Sequence, residues 1–182
     1  MEEQLILVDE RDSEVGTISK MAAHREGLLH RAFSVFVFNS SNKLLLQRRS
    51  LDKYHSAGLW SNTCCSHPRP GETIEAAAKR RLFEEMGLSC ELREVFSFIY
   101  HVKMENGLTE YEFDHVFAGY SDSIPEPDSD EVNDWAYRNM EELKQDIAAK
   151  PHLYSEWFKL CIGKWDAELF TSQNKDDDIR TV

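Results

Sequence analysis

Short apolar stretches of strand length recur along both halves of this chain. In the first half they cover residues 4–9, 32–38 and 43–49, and they are rich in aliphatic, aromatic and β-branched side chains. An NSSN turn separates the second stretch from the third, so we expect these two to form a β-hairpin. In the second half, residues 94–102 and 108–120 form another predicted strand pair, joined by the turn-like segment KMENG.

One helical pattern stands out between the two strand groups, at residues 73–86 (TIEAAAKRRLFEEM). Thr73 can cap its first turn, and Gly87 is a natural stop after its last. The predicted apolar face consists of Ile74, Ala77, Ala78, Leu82 and Met86. At about 100° per residue, Arg81 and Glu85 fall on that same face, so this charged pair requires a functional explanation.

Later segments complete the predicted architecture. We expect a strand near residues 132–138, a helix near 140–150 and a further helix from about Tyr154. Two strand groups with helices between and after them predict the α/β class, with mixed β-sheets sandwiched between helices. Because the 182-residue chain has no composition break, we expect one domain over residues 1–165, followed by a polar, acidic tail over residues 166–182.

Charged residues are unevenly distributed between the two halves of the chain, and this distribution limits which classes of binding partner are expected. The formal net charge of -12 argues against nucleic acid as a partner, because such binding neutralises phosphates with Lys and Arg. Residues 1–81 carry 12 Lys and Arg against 10 Asp and Glu, whereas residues 82–182 carry 9 against 23, so an anionic ligand is expected in the first half. No apolar run reaches bilayer length and the acidic N-terminus does not fit a signal peptide, so we expect a cytoplasmic protein with no membrane partner.

A long irregular run over residues 50–71 ends in the segment SNTCCSHPRPG. Taken alone, this segment could be a disulfide, half of a zinc site, a reactive thiol or a buried bend. Cys64 and Cys65 point away from each other in any regular backbone, and Cys90 and Cys161 add no regular spacing. Reduced thiols are therefore favoured. A loop of this length inside a domain is usually functional or mobile.

Two carboxylates and three histidines form a candidate metal site. Strand alternation sends Glu110 and Glu112 to the same face. With His24, His30 and His67 they would supply three imidazoles and two carboxylates, a set that suits a five- or six-coordinate Mn²⁺, Mg²⁺ or Zn²⁺ ion. The alternative is a solvated strand face and unrelated surface histidines.

The predicted helix also carries a motif that resembles that of the Nudix hydrolases, G-x5-E-x7-R-E-U-x-E-E-x-G-U, where U is aliphatic. The matching positions are Glu72, Arg80, Leu82, Glu84, Glu85, Gly87 and Leu88. Two positions depart from it, since Ser66 replaces the first glycine and Arg81 replaces the glutamate after the arginine. A cation at Arg81 cannot ligate Mg²⁺ or activate water, so the resemblance implies a Nudix fold without ordinary hydrolase chemistry.

Six sequence blocks stand out across roughly residues 4–162: LLHRAFSVFVFN, KLLLQRRS, NTCCSHP, the altered Nudix motif, EYEFDHVF and YSEWF. In their order and spacing these blocks resemble the type I isopentenyl-diphosphate isomerases. The resemblance implies a single Nudix-type catalytic domain that interconverts isopentenyl diphosphate and dimethylallyl diphosphate, the five-carbon precursors of isoprenoids. The substrate would be a small isoprenyl diphosphate, and we expect a monomer or a weak homodimer.

The resemblance also assigns roles at the reacting end of the substrate. Cys65 would be the catalytic thiol on one face and Glu112 the acid or base on the other. Tyr100 would hydrogen-bond near the proton path, and the ring of Trp157 would face a developing carbocation. The first divalent ion would be held by His24, His30, His67, Glu110 and Glu112.

At the diphosphate end, the resemblance implies a second ion, Mg²⁺, held by Glu85 and the backbone carbonyl of Cys65. The residues that would bind the diphosphate itself are Lys20, Arg49, Lys53, Ser66 and Arg81. All of them lie before residue 82, in agreement with the charge distribution. Cys64 is interpreted as a packing residue.

Two other functions are compatible with the residues alone. A Nudix pyrophosphohydrolase acting on a small diphosphate would release phosphate, although Arg81 speaks against it. A non-catalytic, metal-stabilised binding module would unfold without its metal. It would have no turnover, so replacement of Cys65 would change none.

Overall fold

The apolar run predicted at residues 32–38 becomes the central strand of the sheet. The computed structural model describes residues 3–104 and 106–165. Within these ranges the strands are β1 (Gln4–Val8), β2 (Glu14–Ser19), β3 (His30–Phe38), β4 (Leu44–Arg49), β5 (Trp60–Ser61), β6 (Cys64–Ser66), β7 (Leu92–Lys103), β8 (Thr109–Tyr120) and β9 (Val132–Arg138). The helices are α1 (Lys20–Glu26), α2 (Ile74–Met86), α3 (Met140–Ala149) and α4 (Glu156–Lys164), with a 3-10 turn at Pro151–Leu153.

The strands form one mixed sheet around β3. Strand β3 runs parallel to β8 from the pair His30 and Glu112 to the pair Phe38 and Tyr120, and β7 joins β8 as the predicted antiparallel partner. The predicted hairpin of β3 and β4 is confirmed only at its turn, where Phe38 pairs with Leu44. Farther from the turn the two strands diverge, because β3 pairs with β6 and β8 while β4 pairs with β9 along its length.

Strand β3 is buried on both faces, and its alternating side chains supply two separate cores. Phe33, Val35 and Val37 pack toward the apolar face of α2. Phe36 and Phe38 pack on the other face, in a cluster that also contains apolar residues of α3 and α4. The fold is thus the predicted α/β arrangement, a mixed sheet between helices.

Helix α2 confirms the predicted boundaries and the unusual charged pair on its inner face. The Thr73 hydroxyl accepts a hydrogen bond from the Ala76 N–H at 3.3 Å, and Gly87 ends the helix in the left-handed conformation with φ of 66°. Glu85 is 4 % exposed although it is charged. The carboxylate of Glu85 and the guanidinium of Arg81 therefore both lie on the inner face of α2, toward the sheet.

Three features of the first half were not predicted from the pattern. Strand β2 is a mostly exposed edge strand, and α1 has only seven residues, ending at Gly27 with φ of 63°, so neither offers enough periodicity to detect. The run over residues 50–71 is not wholly irregular, because it contains β5 and β6, and β6 pairs with β3.

In the described part of the chain no helix is long and apolar enough to cross a membrane. The predicted tail over residues 166–182 lies outside the described residues.

Candidate active site

All the predicted site residues except His30 line one open cavity beside β3, β6 and β8. They are Lys20, His24, Arg49, Lys53, Cys65, Ser66, His67, Arg81, Glu85, Tyr100, Glu110, Glu112 and Trp157. His30 is fully buried next to the wall of this cavity, 3.4 Å from Glu112. The fold therefore brings together residues that are up to 137 positions apart in the sequence.

Four buried side chains form a group that could hold a metal ion: His24, His30, His67 and Glu112. Parallel pairing sets His30, the first residue of β3, directly beside Glu112 of β8. His67 follows β6, and its Nε2 atom lies 3.0 Å from Glu112 Oε1. One potential ligand atom from each of the four lies within 4.8 Å of all the others.

The hydrogen bonds of two of these histidines fix which ring nitrogen faces the group. Nδ1–H of His24 donates to the Lys20 carbonyl at 2.7 Å, and Nδ1–H of His30 donates to the Leu28 carbonyl at 2.8 Å. Each ring then presents its Nε2 lone pair, as metal-binding histidines with a carbonyl partner do. Nε2 of His30 is buried without a hydrogen-bond partner in the described residues. These donors fit a divalent cation.

Glu110 and Glu112 are both buried and interact strongly. Burial raises the pKa of Glu112, but the neighbouring imidazoles of His30 and His67 outweigh it and hold that pKa well below its usual range. Burial and the negative charge of Glu112 raise the pKa of Glu110 well above its usual range. The hydroxyl of Tyr100 donates to Glu112 Oε2 at 2.5 Å. A cation beside the two carboxylates would relieve their repulsion.

The two adjacent cysteines face opposite sides of strand β6. Cys64 is fully buried in the core beneath α2, whereas Cys65 lines the cavity. Asn62 anchors the start of the strand, because its amide donates to the carbonyls of Val35 at 3.2 Å and of Cys64 at 2.6 Å. Burial raises the pKa of Cys65 to about 12, although the positive charge of Arg49 opposes this shift. At neutral pH the Cys65 side chain is therefore a thiol.

Trp157 forms an aromatic wall of the cavity and is 3 % exposed. Its indole N–H donates to the side-chain oxygen of Asn62 at 3.2 Å, so the residue that anchors β6 also orients this ring. The guanidinium carbon of Arg49 lies 5.1 Å from the ring centroid. The ring is therefore fixed in orientation beside both the thiol and a cation.

At the other end of the cavity, the predicted phosphate-binding cations are paired with carboxylates of the chain. Arg81 contacts Glu85 at 2.7 Å and Glu131 at 3.1 Å, and Lys53 forms an ion pair with the same Glu131. Lys20 pairs with Glu3 at 2.8 Å. Each pairing leaves the cation near the cavity, which all three line.

Two guanidinium groups still have an unpaired N–H. The Nε atoms of Arg49 and Arg81 are buried and have no hydrogen-bond partner within the described ranges. A buried donor left without a partner costs about 1–3 kcal/mol, which a bound anion would recover. This end of the cavity therefore fits an anionic group.

The neighbouring arginine of α2 is not part of the cavity. Arg80 binds Glu72 through two parallel hydrogen bonds, both 2.8 Å long, and also pairs with Glu84 at 3.1 Å. Arg80 is therefore a structural element of the motif, whereas Arg81 turns inward beside Glu85. This divergence confirms the predicted position of Arg81 on the inner face of α2.

Besides the β3 residues Phe33 and Ser34, the prediction missed three loop residues of the cavity: Tyr54, His55 and Glu131. Tyr54 and His55 belong to the run over residues 50–71, whose length was the only signal that it is functional. Glu131 stands immediately before the predicted strand near residues 132–138, with no motif to mark it. Only the three-dimensional packing of these loops against β8 and α2 reveals their role in the site.

Comparisons with known proteins agree with the geometry. Residues 28–159 match the NUDIX domain family. Isopentenyl-diphosphate Delta-isomerase 1 of Aromatoleum aromaticum is 55 % identical over 164 residues, covering 90 % of this chain and 93 % of that protein. Isopentenyl-diphosphate Delta-isomerase of Streptomyces griseus is 50 % identical over 157 residues, covering 85 % of this chain and 79 % of that protein.

The fold comparison points the same way. The crystal structure of DR0079 from Deinococcus radiodurans matches with a TM-score of 0.75 and 26 % identity, covering 89 % of this chain and 98 % of that one. The match to the NUDIX domain spans most of the described chain. This chain therefore belongs to the Nudix family and, within it, to the isopentenyl-diphosphate Delta-isomerases.

Proposed function

We propose that this protein interconverts isopentenyl diphosphate and dimethylallyl diphosphate by a 1,3-proton shift. The relatives named isopentenyl-diphosphate Delta-isomerase support this activity over about nine-tenths of the chain. The observation that carries the proposal is a thiol, a phenol–carboxylate pair and an indole ring in one cavity that ends in anion-binding cations. These are the groups that the reaction needs.

The reaction adds a proton to an unactivated alkene and removes another proton two bonds away. Protonation forms a tertiary carbocation, which water would capture. An enzyme for this reaction therefore needs a proton donor, a proton acceptor and a cavity that excludes water. The diphosphate takes no part in bond making, so its binding energy can be used to hold the alkene in place.

Cys65 and Glu112 are the proposed proton donor and acceptor. Cys65 is held on β6 and Glu112 on β8, with β3 between these two strands. Tyr100 donates its hydroxyl hydrogen to Glu112, so it can pass a proton to or from that carboxylate. Because the reaction is reversible, the residue that donates a proton in one direction accepts it in the other.

Trp157 is the proposed stabiliser of the carbocation. Its ring lines the cavity, and its N–H donates to Asn62, so the substrate would meet a π face of the ring, near the Arg49 guanidinium, rather than its polar edge. An aromatic face contributes about 2 kcal/mol or more to a desolvated cation. The same ring, 3 % exposed, excludes water from the reacting carbons.

The metal-binding residues that we propose are His24, His30, His67, Glu110 and Glu112 for the first ion. A bound divalent ion would fix Glu112 and alter its affinity for a proton. Three imidazole donors favour Mn²⁺ or Zn²⁺ over Mg²⁺ at this position. For the diphosphate we propose a Mg²⁺ ion held by Glu85 and the backbone carbonyl of Cys65, with Lys20, Arg49, Lys53, Ser66 and Arg81 around the phosphates.

The alternative of a Nudix pyrophosphohydrolase is disfavoured by one contact. Arg81 occupies the motif position of a metal-binding glutamate, and its guanidinium contacts Glu85 at 2.7 Å. The carboxylate cluster that would hold ions for water attack is therefore interrupted by a positive charge. A binding module without catalysis leaves the pairing of Tyr100 with Glu112 unexplained.

Incubation of the purified protein with isopentenyl diphosphate and Mg²⁺ in D₂O separates these functions. We expect dimethylallyl diphosphate with deuterium at the exchanged carbon and no release of phosphate. Phosphate release would identify a hydrolase, and folded, metal-loaded protein that gives neither product nor exchange would identify a binding module.

The adjacent cysteines provide a matched pair of variants for the same assay. Cys65→Ala should nearly abolish turnover, whereas Cys64→Ala should change it little once the folded fraction is taken into account, because Cys64 lies in the core. Comparable losses per folded molecule in both variants would mean that the thiol has been wrongly assigned.

A further inference from the structure

His55 lies between the proposed metal-binding carboxylate Glu110 and the proposed cation-stabilising ring of Trp157. Its Nε2 atom is 3.4 Å from Glu110 Oε1. Its ring meets the indole of Trp157 edge-on, with centroids 5.9 Å apart and planes at 89°. The side chain is only 7 % exposed. A single imidazole thus contacts two groups that the reaction uses for different purposes.

The backbone around His55 is held in place by the end of β4. Gly58 N–H donates to the Arg49 carbonyl at 3.2 Å, and Arg49 N–H donates to the Leu59 carbonyl at 2.9 Å. The Arg49 guanidinium also reaches the His55 carbonyl, at 3.4 Å, while its carbon atom lies 5.1 Å from the centroid of Trp157. Arg49 therefore sets the position of His55 relative to that ring.

Glu110 needs such a partner because it stands apart from the four-residue group of His24, His30, His67 and Glu112. Within the described residues its carboxylate accepts a hydrogen bond from the Tyr100 hydroxyl, at 3.4 Å, but that hydroxyl makes a shorter bond of 2.5 Å to Glu112. Glu110 instead groups with His24 and His55, whose potential ligand atoms lie within 4.8 Å of one another. Nε2 of His24 is shared by both groups and can bind only one ion.

We propose that His55 is a positioning residue, whose Nε2–H donates a hydrogen bond to Glu110 and holds that carboxylate in place to complete the metal site. The inference rests on the proposed function, which assigns Glu110 to the first ion. Carboxylates that bind metals are themselves usually hydrogen-bonded, and loss of such a partner typically weakens metal binding about 10–100-fold. His55 is absent from the four-residue group and groups only with His24 and Glu110, so an ion held by the four-residue group leaves the His55 imidazole available as a donor.

Two substitutions distinguish a hydrogen-bond donor from a metal ligand. His55→Phe keeps the ring but removes the donor, whereas His55→Gln keeps an N–H group at a similar distance from the backbone. We expect the dissociation constant for Co²⁺, measured by competition with a chelator, to rise about 10–100-fold in His55→Phe and to stay near the wild-type value in His55→Gln. His152→Gln, at an exposed histidine, is the matched control and should behave as wild type.

The visible absorption of bound Co²⁺ and the steady-state kinetics add independent readouts. A positioning role predicts unchanged Co²⁺ bands in His55→Gln, and in His55→Phe a fall in kcat that exceeds any rise in KM, because His55 makes no phosphate contact in this proposal. If His55→Phe does not fold, as judged by circular dichroism, His55→Ala takes its place.

Three results would overturn the inference. Equal weakening in His55→Phe and His55→Gln, or Co²⁺ bands that move in His55→Gln, would mean that the imidazole is a ligand. Unchanged affinity in His55→Phe would mean that it contributes nothing to the site. Failure of the wild-type protein to bind Co²⁺ would overturn the metal site of the proposed function as well, so the two failures are distinguishable.

Discussion

The two ends of the cavity differ in how completely they are assembled without a ligand. At the reacting end, His24 and His30 have their Nδ1 atoms bonded to backbone carbonyls, so their Nε2 atoms already point toward Glu112. At the diphosphate end, Arg81 and Lys53 are both paired with Glu131. One end presents a preformed group of side chains that could hold a metal ion, whereas the other neutralises its own charges and would have to exchange partners if an anion entered.

This difference assigns different energetic roles to the two ends. A preformed site binds without reorganisation, so changes there should affect the chemical step more than substrate binding. Cations that are already paired gain less from a phosphate than free cations would, because one charged contact replaces another. Changes at the diphosphate end should therefore appear mainly in KM and in the dependence on Mg²⁺.

The largest effect should come from Glu112→Gln. The amide can still accept a hydrogen bond from Tyr100 but cannot exchange a proton at neutral pH, so kcat should fall about 10²–10⁴-fold with little change in KM. Steady-state kinetics with isopentenyl diphosphate measure this. Glu94→Gln, at an exposed carboxylate of β7, should keep normal turnover. A loss confined to KM would contradict the division between the two ends.

The buried histidines predict that the metal-free protein loses stability in acid. Burial lowers the pKa of His67 to about 4 from an ordinary 6.5, despite its hydrogen bond to Glu112. Between these pH values the unfolded chain binds more protons than the folded one, so the free energy of unfolding falls as pH decreases from 6.5 toward 4. His67 should contribute about 3 kcal/mol to this fall.

Urea unfolding of the metal-free protein at pH 7 and at pH 4.5 measures this contribution. His67→Gln should flatten the pH dependence, whereas His152→Gln, at an exposed position, should leave it as in the wild type. An equally steep fall in His67→Gln would show that other groups cause the acid sensitivity of the reacting end.

The fold was largely predictable from local pattern, whereas the site was predictable only in part. Helix α2 combines a periodic apolar face with Thr73 and Gly87 as caps, so its bounds follow from the sequence. Strand β2 and helix α1 are short and carry weak periodicity, and they went undetected. The long partner of β3 is β8, about 80 residues later, and no local pattern reveals a parallel pairing over that distance.

The site residues divide along the same line. The inward position of Arg81 follows from helical geometry alone, and the structure confirms it. The convergence of His24, His30 and His67 could be proposed from their residue types but not settled by the sequence, because their spacing matches no metal motif. Neither local pattern nor family resemblance predicted His55, since it lies in a loop and approaches Glu110 only through tertiary folding. Such residues are found from coordinates rather than from pattern.

A smaller effect than that of Glu112 should follow from Arg81→Gln, with Arg80→Gln as its matched control. Arg81 lines the cavity, so loss of its charged hydrogen bonds to phosphate should cost about 1.5–3 kcal/mol of transition-state stabilisation and lower kcat/KM roughly 10–150-fold. Arg80 is occupied by Glu72 and should affect stability only. Equal losses of kcat/KM in the two variants, once the folded fraction is taken into account, would mean that Arg81 does not bind the substrate.

The smallest effect, and the sharpest test of the contrast, is expected from Glu131→Gln. If Glu131 only balances Lys53 and Arg81 until diphosphate arrives, its neutralisation should free Lys53, leave Arg81 with one contact fewer beside Glu85, and lower KM. Its side chain is 25 % exposed, so the gain should be about 0.2–1 kcal/mol, roughly 1.5–5-fold in KM. Titration of KM against Mg²⁺ distinguishes the alternative. A higher KM that excess Mg²⁺ restores would show that Glu131 binds the metal, and the diphosphate end would then be as fully assembled as the reacting end.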